Sequence, residues 1–320
     1  MNMAEKIQDL YQRYGELEGI SIECQKELIA IGISNKVARA EIFLQGAQVT
    51  AYQRHGETPI LFLSKECQYQ QGSPLRGGIP ICWPWFGDIN KNPIELQQQF
   101  SAEFIASSAA HGFVRDSDWE LTNIDIVDDS LTAITLKYSV PKDNSFNWPF
   151  AADLVYEVKV GEQLTASLTI KNTDKQPFLF SGALHTYFNV DGIDSVSIKG
   201  LDKTQYVDAL KNWETFHQQG DITFDSECDR IYLLGKGESN NKTLDNHPIF
   251  LQDQSRKITI ENTGSQSLVV WNPWVEKAER LSQFADDDYK KMVCVETANA
   301  MGDVIHLEPN EEHSLSVTVV

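Results

Sequence analysis

The sequence contains no run of apolar residues long enough to span a bilayer, so a transmembrane helix is excluded. It has no excess of positive charge. Lys and Arg number 27 against 46 Asp and Glu, for a formal net charge of -19. A surface of that sign repels nucleic-acid phosphates and anionic membranes, and neither is expected as a partner. Cysteine is scarce. Cys24, Cys67, Cys82, Cys228 and Cys294 are scattered, odd in number and without a CxxC pair. That pattern gives no disulfide framework and reads as free thiols in a reducing compartment. Met1 to Gly19 is charged throughout and lacks the apolar core of a secretory leader, so a cytoplasmic location is expected.

Motifs for several chemistries are missing as well. No two histidines stand at i,i+2 or i,i+4 and no cysteines cluster, so ligand spacing predicts no metal site. There is no GxSxG nucleophile elbow, and Cys82 and Cys294 lie in apolar runs that favour a neutral thiol. Neither GxGxxG nor a GK[ST] phosphate loop occurs, so no nucleotide cofactor is expected. The expected cofactor list is empty.

What is present is a long series of short strands. Leu131–Val140, Asp153–Val160, Gln163–Asn172 and Lys257–Asn262 alternate apolar and polar residues at period two. Ile60–Leu63, Phe100–Ser107, Phe178–Phe188 and His247–Asp253 also read as strands. Turn signals such as Asp128-Asp129-Ser130 and Asn262-Thr263-Gly264 separate such runs at short intervals, the cadence of an all-β fold. Residues 4–17 differ: Ile7, Leu10, Tyr11, Tyr14 and Leu17 recur at helical spacing and predict a short N-terminal helix packed on the core. No linker or shift in composition interrupts the chain. The prediction is one domain over 1–320, a large antiparallel β-sandwich, with a monomer expected.

Two stretches carry chemistry. Ser181 to Phe188 is an apolar run with one histidine, His185, in its middle. Val293 to Asn299 is another, delivering one carboxylate, Glu296. A core histidine tied to a carbonyl is the plain reading of the first; with the second it becomes half of a general acid/base pair. Arg76, His111, Arg115 and Asp229 join them, with aromatics at Trp83, Trp85, Phe86, Phe113 and Tyr187. Two arginines near glycine-rich turns can clamp a phosphate or carboxylate. Aromatic faces stack on sugar C–H faces and a carboxylate accepts from hydroxyls, so the set describes a pocket for an anionic sugar. Each member also has an ordinary role, in a surface ion pair or in packing.

The segments Arg76-Gly77-Gly78-Ile79-Pro80-Ile81-Cys82-Trp83-Pro84-Trp85-Phe86-Gly87, His111-Gly112-Phe113-Val114-Arg115, Ser181 to Phe188, Asp229-Arg230-Ile231-Tyr232, Trp271-Asn272-Pro273-Trp274 and Cys294-Val295-Glu296 follow one another in this order. In that order the chain resembles the glucose-6-phosphate 1-epimerases, hexose-6-phosphate mutarotases of the aldose 1-epimerase superfamily, from about residue 25 to 320. The resemblance implies a galactose-mutarotase-like sandwich. It implies His185 as general acid, Glu296 as general base, Arg76 and Arg115 holding the substrate at its phosphate, and Asp229 on sugar hydroxyls. Two positions depart from it: Ala110, where many members have glutamine, and Trp85, where many have glutamine or a small residue.

Interconverting the anomers of an aldose needs only a base for the C1 hydroxyl and an acid for the ring oxygen, each contributing roughly 10²–10⁴-fold. That suits a sequence lacking every other catalytic signature. The expectation is a small-molecule hexose phosphate as substrate, with His185 and Glu296 on opposite sides of a space the size of a hexose ring. A mutarotase for neutral aldoses and a non-catalytic sugar-binding protein on the same fold are the alternatives.

Overall fold

A computed structural model describes residues 2–234, 248–254 and 256–320. Its longest strands are those with the cleanest alternation. Leu131–Val140, Ala152–Val160 and Leu164–Asn172 pair as consecutive antiparallel neighbours. The turn before them is set locally: Asp128 Oδ1 accepts from the Ser130 amide at 2.8 Å, a side-chain-closed turn. Alternate residues of these strands point inward, where each buried aliphatic side chain contributes about 1.5–3 kcal/mol. Outward positions pair hydroxyls instead, as in Ser167 with Ser316 at 2.8 Å and Thr165 with Thr318 at 3.0 Å.

This sheet runs Ser197–Lys199, Ile249–Gln252, Lys257–Thr263, Glu312–Val319, Leu164–Asn172, Ala152–Val160, Leu131–Val140 and Glu120–Asp128. A second runs Glu214–His217, Gln205–Asp208, Cys228–Leu233, Ser267–Asn272, Met292–Asn299, Gly182–Leu184 and Ile81–Cys82, with Tyr187–Asn189 also paired to Met292–Asn299. The strands from Ile20 to Arg54 form a four-stranded antiparallel sheet. One large apolar cluster joins all three, as expected of packed antiparallel sheets.

The second sheet has two differently used faces. Opposed residues on neighbouring strands share a face. Register puts Asp229 opposite Trp271, Trp271 opposite Cys294, and Cys294 opposite Tyr187. Two residues along, Ile231, Val269 and Glu296 line up, and then Ala298, Ala183 and Cys82. The apolar residues among them belong to a small cluster of their own, with Asp229 and Glu296 set between them. The intervening residues, among them Tyr232, Leu268, Val270, Val295, Leu184 and Ile81, face the main core. The sheet therefore has one face committed to the sandwich interior and one turned towards loops.

The N-terminal helix spans Met3–Tyr14 and opens with a capping box between Asn2 and Glu5. Leu10 and Tyr14 are buried with Ile22. Tyr11 is not: it is 51% exposed, and its hydroxyl donates to the Ile22 carbonyl at 2.7 Å. Three strand expectations need correction. Phe100–Ser107 contains a helix, Ala102–Ser107, because the Ser101 side chain caps it by accepting from the Phe104 amide. Ile60–Leu63 makes only isolated bridges, from Leu61 to Phe188 and Leu63 to Gly77. Phe178–Phe188 is broken into Phe178–Phe180, Gly182–Leu184 and a strand that starts at Tyr187. The strand expected at His247–Asp253 spans Ile249–Gln252; His247 lies outside the described residues.

Candidate active site

The break in the Phe178–Phe188 run is what makes the site. Gly182–Leu184 and Tyr187–Asn189 both pair with Met292–Asn299, and His185 and Thr186 sit in the gap between them. The backbone amide of His185 donates to the Pro80 carbonyl at 2.9 Å. Its side chain lies against Tyr187 and Trp271. It stacks on Tyr187, with ring centroids 4.8 Å apart and planes 13° apart, and meets the edge of Trp271 at 5.9 Å.

Glu296 comes from the middle of Met292–Asn299, on the same face as Cys294. His185 Nε2 lies 3.3 Å from Glu296 Oε1. The pair is in direct contact, so the expectation of a ring-sized space between the two groups is wrong. Both reach the site from one sheet, and a substrate has to approach them from one side. Glu296 is 1% exposed and His185 9%; the carboxyl forms the floor and the imidazole the edge nearer solvent. His185 Nδ1 and Glu296 Oε2 have no hydrogen-bond partner among the described residues.

Burial dominates the electrostatics of the pair. It pushes the Glu296 carboxyl well above the carboxylate range, and the Asp229 charge adds to this. It pushes His185 down to about 3, with the positive charges of Arg115 and Arg76 acting in the same direction. A buried carboxyl and a buried imidazole both resist charge. Both directions favour the neutral forms, an imidazole beside a carboxylic acid.

His111 is placed by an unusual backbone. It has φ 68° and Gly112 φ 71°. A Cβ on Gly112 would stand 1.9 Å from the Trp83 carbonyl oxygen, so only glycine fits. The Gly87 amide donates to His111 Nδ1 at 3.2 Å; the neutral ring therefore carries its proton on Nε2, available to a ligand. Its ring meets His185 at 5.5 Å and Phe86 at 5.2 Å. Burial holds His111 well below its ordinary value, and the charge of His185 also lowers it.

Arg115 Nη2 donates to the Ala110 carbonyl at 3.0 Å, and its Nε is 3.9 Å from Asp116 Oδ1. Arg76 Nε donates to the Ser282 carbonyl at 3.2 Å. Both arginines are half-buried and both act electrostatically on His185 and His111. Asp229 stands across Trp271 on the neighbouring strand. Burial pushes it up to about 6, against the opposing charge of Lys277, whose Nζ is 3.7 Å from its Oδ2. Glu296 and Asp229 thus lie on one sheet face with His185 beside them, His111 meets His185 from a loop, and both arginines act electrostatically on the two histidines.

The aromatics divide. Tyr187 and Phe86 belong to the site face. Trp83, Trp85 and Phe113 do not: they are buried in the main core, and Phe113 stacks on Phe146 at 4.1 Å. The Trp85 indole donates to the Ala109 carbonyl at 2.9 Å and, with Phe104 and Phe113, lines a separate groove of about 390 Å³ that none of the six residues touches. Trp85 is consequently not part of a sugar-contacting rim. Ala110 contributes its carbonyl, which orients Arg115. Sequence reasoning missed Lys277, which also sits 5.9 Å from the Trp271 ring centroid; nothing in Glu276-Lys277-Ala278-Glu279 distinguishes it from a surface helix. It also missed Trp271 as a wall of the site, although Trp271-Asn272-Pro273-Trp274 stood out as a segment.

A histidine–glutamate contact on the loop-facing side of a large antiparallel sandwich, with arginines, Asp229 and Lys277 around it, is the arrangement expected of a mutarotase-class enzyme. Comparison with solved structures agrees. The chain matches the crystal structure of a "putative mutarotase (YeaD)" from Salmonella typhimurium with a TM-score of 0.81 at 27% identity, over 95% of this chain and 94% of that one. It shares the fold of a galactose mutarotase-like protein from Clostridium acetobutylicum at a TM-score of 0.72 and 18% identity, over 94% and 97% of the two chains. The family model described as aldose 1-epimerase matches residues 30–319. The chain belongs to the aldose 1-epimerase family, and so to the isomerases. A relative in Cenchrus ciliaris, named "Putative glucose-6-phosphate 1-epimerase", is 35% identical over 85% of this chain and 78% of its own length. An Escherichia coli relative of the same name is 30% identical over 86% and 84%.

Proposed function

We propose that the protein interconverts the α and β anomers of a hexose 6-phosphate, glucose 6-phosphate first among them, with Glu296 as base and His185 as acid. The observation that carries this reading is the 3.3 Å contact between His185 Nε2 and Glu296 Oε1, with Arg76 and Arg115 close enough to act on the imidazole. The two oxygens that must exchange protons, the C1 hydroxyl and the ring oxygen, are bonded to the same carbon. Two groups in contact on one side are therefore suited to serve both.

The chemistry balances with one mobile proton. Imidazolium with carboxylate, and imidazole with carboxylic acid, are the same protonation state with the proton moved across the contact. In the reactive arrangement the Glu296 carboxylate takes the C1 hydroxyl proton. The C1–O5 bond breaks, its electron pair goes to O5, and O5 takes the proton from His185. The products are the open-chain aldehyde, a neutral imidazole and a neutral carboxyl. Rotation about C1–C2 and the reverse transfers close the ring as the other anomer. His111 donates Nε2–H to a sugar oxygen, and Asp229 accepts from hydroxyls.

The arginines serve binding and chemistry together. Their charges oppose an imidazolium at His185, and a phosphate dianion bound by them offsets that opposition. A phosphorylated sugar thus brings the counter-charge that allows His185 to become the acid. A neutral hexose leaves both cations unneutralised, which disfavours the neutral-aldose alternative. The test is exchange NMR of glucose 6-phosphate and of glucose, with and without protein. Enhanced exchange of the phosphorylated sugar, well above that of glucose, is expected. Equal enhancement of both would point to neutral aldoses, and none with either to a binding protein.

A further inference from the structure

We propose that His185, Cys294 and Glu296 form a binding site for zinc, at which the metal blocks the sugar reaction instead of assisting it. The inference rests on the same site as the proposed activity and adds Cys294 to its His185–Glu296 pair. An imidazole nitrogen, the Cys294 sulfur and a carboxylate oxygen all lie within 4.8 Å of one another, and among the described residues they are the one such group of three. Spacing along the chain does not reveal it, because the histidine comes from the gap after Gly182–Leu184 and the other two from Met292–Asn299. Cys294 and Glu296 are two residues apart on a strand, hence on one face, and Tyr187, two residues after His185, pairs directly with Cys294. The three donors are therefore fixed by the sheet.

The donor set selects the ion. One nitrogen, one sulfur and one oxygen suit borderline-soft zinc, and Mg²⁺ or Ca²⁺ would prefer oxygen alone. Three protein donors leave a fourth position for water. Two polar atoms support the assignment. His185 Nδ1 and Glu296 Oε2 are buried without a hydrogen-bond partner, a costly arrangement that a bound cation relieves. Charge supports it too. A thiolate and a carboxylate in this apolar cluster are costly separately, whereas with Zn²⁺ between them the net charge is zero. The thiol proton and the pair's mobile proton leave to solvent on binding. Metal on His185 and Glu296 occupies both proton-transfer groups, so sugar and metal exclude one another.

The experiment uses the intact protein freed of metal, with Co²⁺ as a spectroscopic probe and Zn²⁺ as the inhibitor. Co²⁺ is expected to give a thiolate-to-cobalt charge-transfer band that Zn²⁺ abolishes. Cys294→Ser, with Cys294→Ala as a second variant should the serine fold poorly, is expected to lose the band and at least tenfold in Zn²⁺ affinity. Exposed Cys24 remains in both variants, so a band that survives them comes from elsewhere and overturns the proposal, as does the absence of a band in the unaltered protein. In anomer exchange, Zn²⁺ is expected to inhibit competitively with sugar and a chelator to restore the full rate; inhibition of equal strength in Cys294→Ser would contradict the assignment. A protein that shows the cobalt band but no anomer exchange refutes the proposed activity and leaves the metal site standing.

Discussion

Arg115→Ala and Arg76→Ala separate phosphate recognition from ring chemistry. Arg115 is only 15% exposed at its side chain and is aimed by the Ala110 carbonyl; Arg76 is aimed by the Ser282 carbonyl. Each guanidinium has further N–H groups to give to a phosphate. A hydrogen bond to a charged group contributes about 1.5–3 kcal/mol, which is about ten- to a hundredfold in kcat/KM for glucose 6-phosphate. The same substitutions remove positive charge that holds the His185 imidazolium down. For unphosphorylated glucose, which has nothing to place between the arginines, the rate should therefore stay level or rise slightly. The double variant should lose less than the product of the two single losses, because both cations share one ligand. Exchange NMR on both sugars, with thermal melting as a control for the His111–Arg115 segment, measures this. Equal losses on both sugars with unchanged melting would show that the arginines act on the ring and not on a phosphate, and would refute the reasoning.

Three further outcomes follow from the geometry. Asp229, pushed up to about 6 mainly by burial, is the weaker acid in the folded state. Between about pH 4 and 6 this group binds more proton in the folded protein than in the unfolded chain, so its own contribution to stability falls as pH rises through that window, opposite in sign to the contributions of the buried His185 and His111. Asp229→Asn should remove that contribution in denaturant titrations across pH 4 to 6, and an unchanged pH dependence of stability would contradict the burial of its charge. Gly112→Ala, which would put a methyl 1.9 Å from the Trp83 oxygen at φ 71°, should displace His111 and Arg115 together; a Tm drop of several degrees with loss of exchange is expected, and a wild-type Tm and rate would contradict the placement. Activity should survive a strong chelator and a reductant, since no step uses a metal or a disulfide; a loss with chelator that one added metal restores would overturn the mechanism.

The parts of the fold legible in the sequence are those whose residues face one core and one solvent. Leu131–Val140 and Lys257–Thr263 alternate because only one face of each is buried. Met292–Asn299 is buried at every position, so periodicity is silent about which face Glu296 takes. Ala102–Ser107 was hidden by its apolar content and betrayed only by Ser101, a cap with no strong partner signal. The Phe178–Phe188 run gave no sign of its break, because the break is set by remote groups: the Pro80 carbonyl binds the His185 amide and the Thr186 carbonyl binds the Val295 amide. The six candidate residues stood out through the motifs that carry them. The 3.3 Å approach of His185 to Glu296 was not legible, since it depends on how the gap between Gly182–Leu184 and Tyr187–Asn189 is set against Met292–Asn299. The division of the aromatics was equally hidden, because Trp83 and Phe86 read alike along the chain and are separated only by which side of the loop meets the core.

The acid/base pair is tested most directly by Glu296→Gln, His185→Gln and the combined variant in glucose 6-phosphate exchange NMR. Glutamine keeps the length of the glutamate and removes its basicity. If one proton passes across one contact, each group is useless without the other. Either single substitution should lower exchange to near the uncatalysed rate, and the double should lower it little further. Exchange in Glu296→Gln close to that of the unaltered protein, or losses in the two single variants that multiply in the double, would contradict the account.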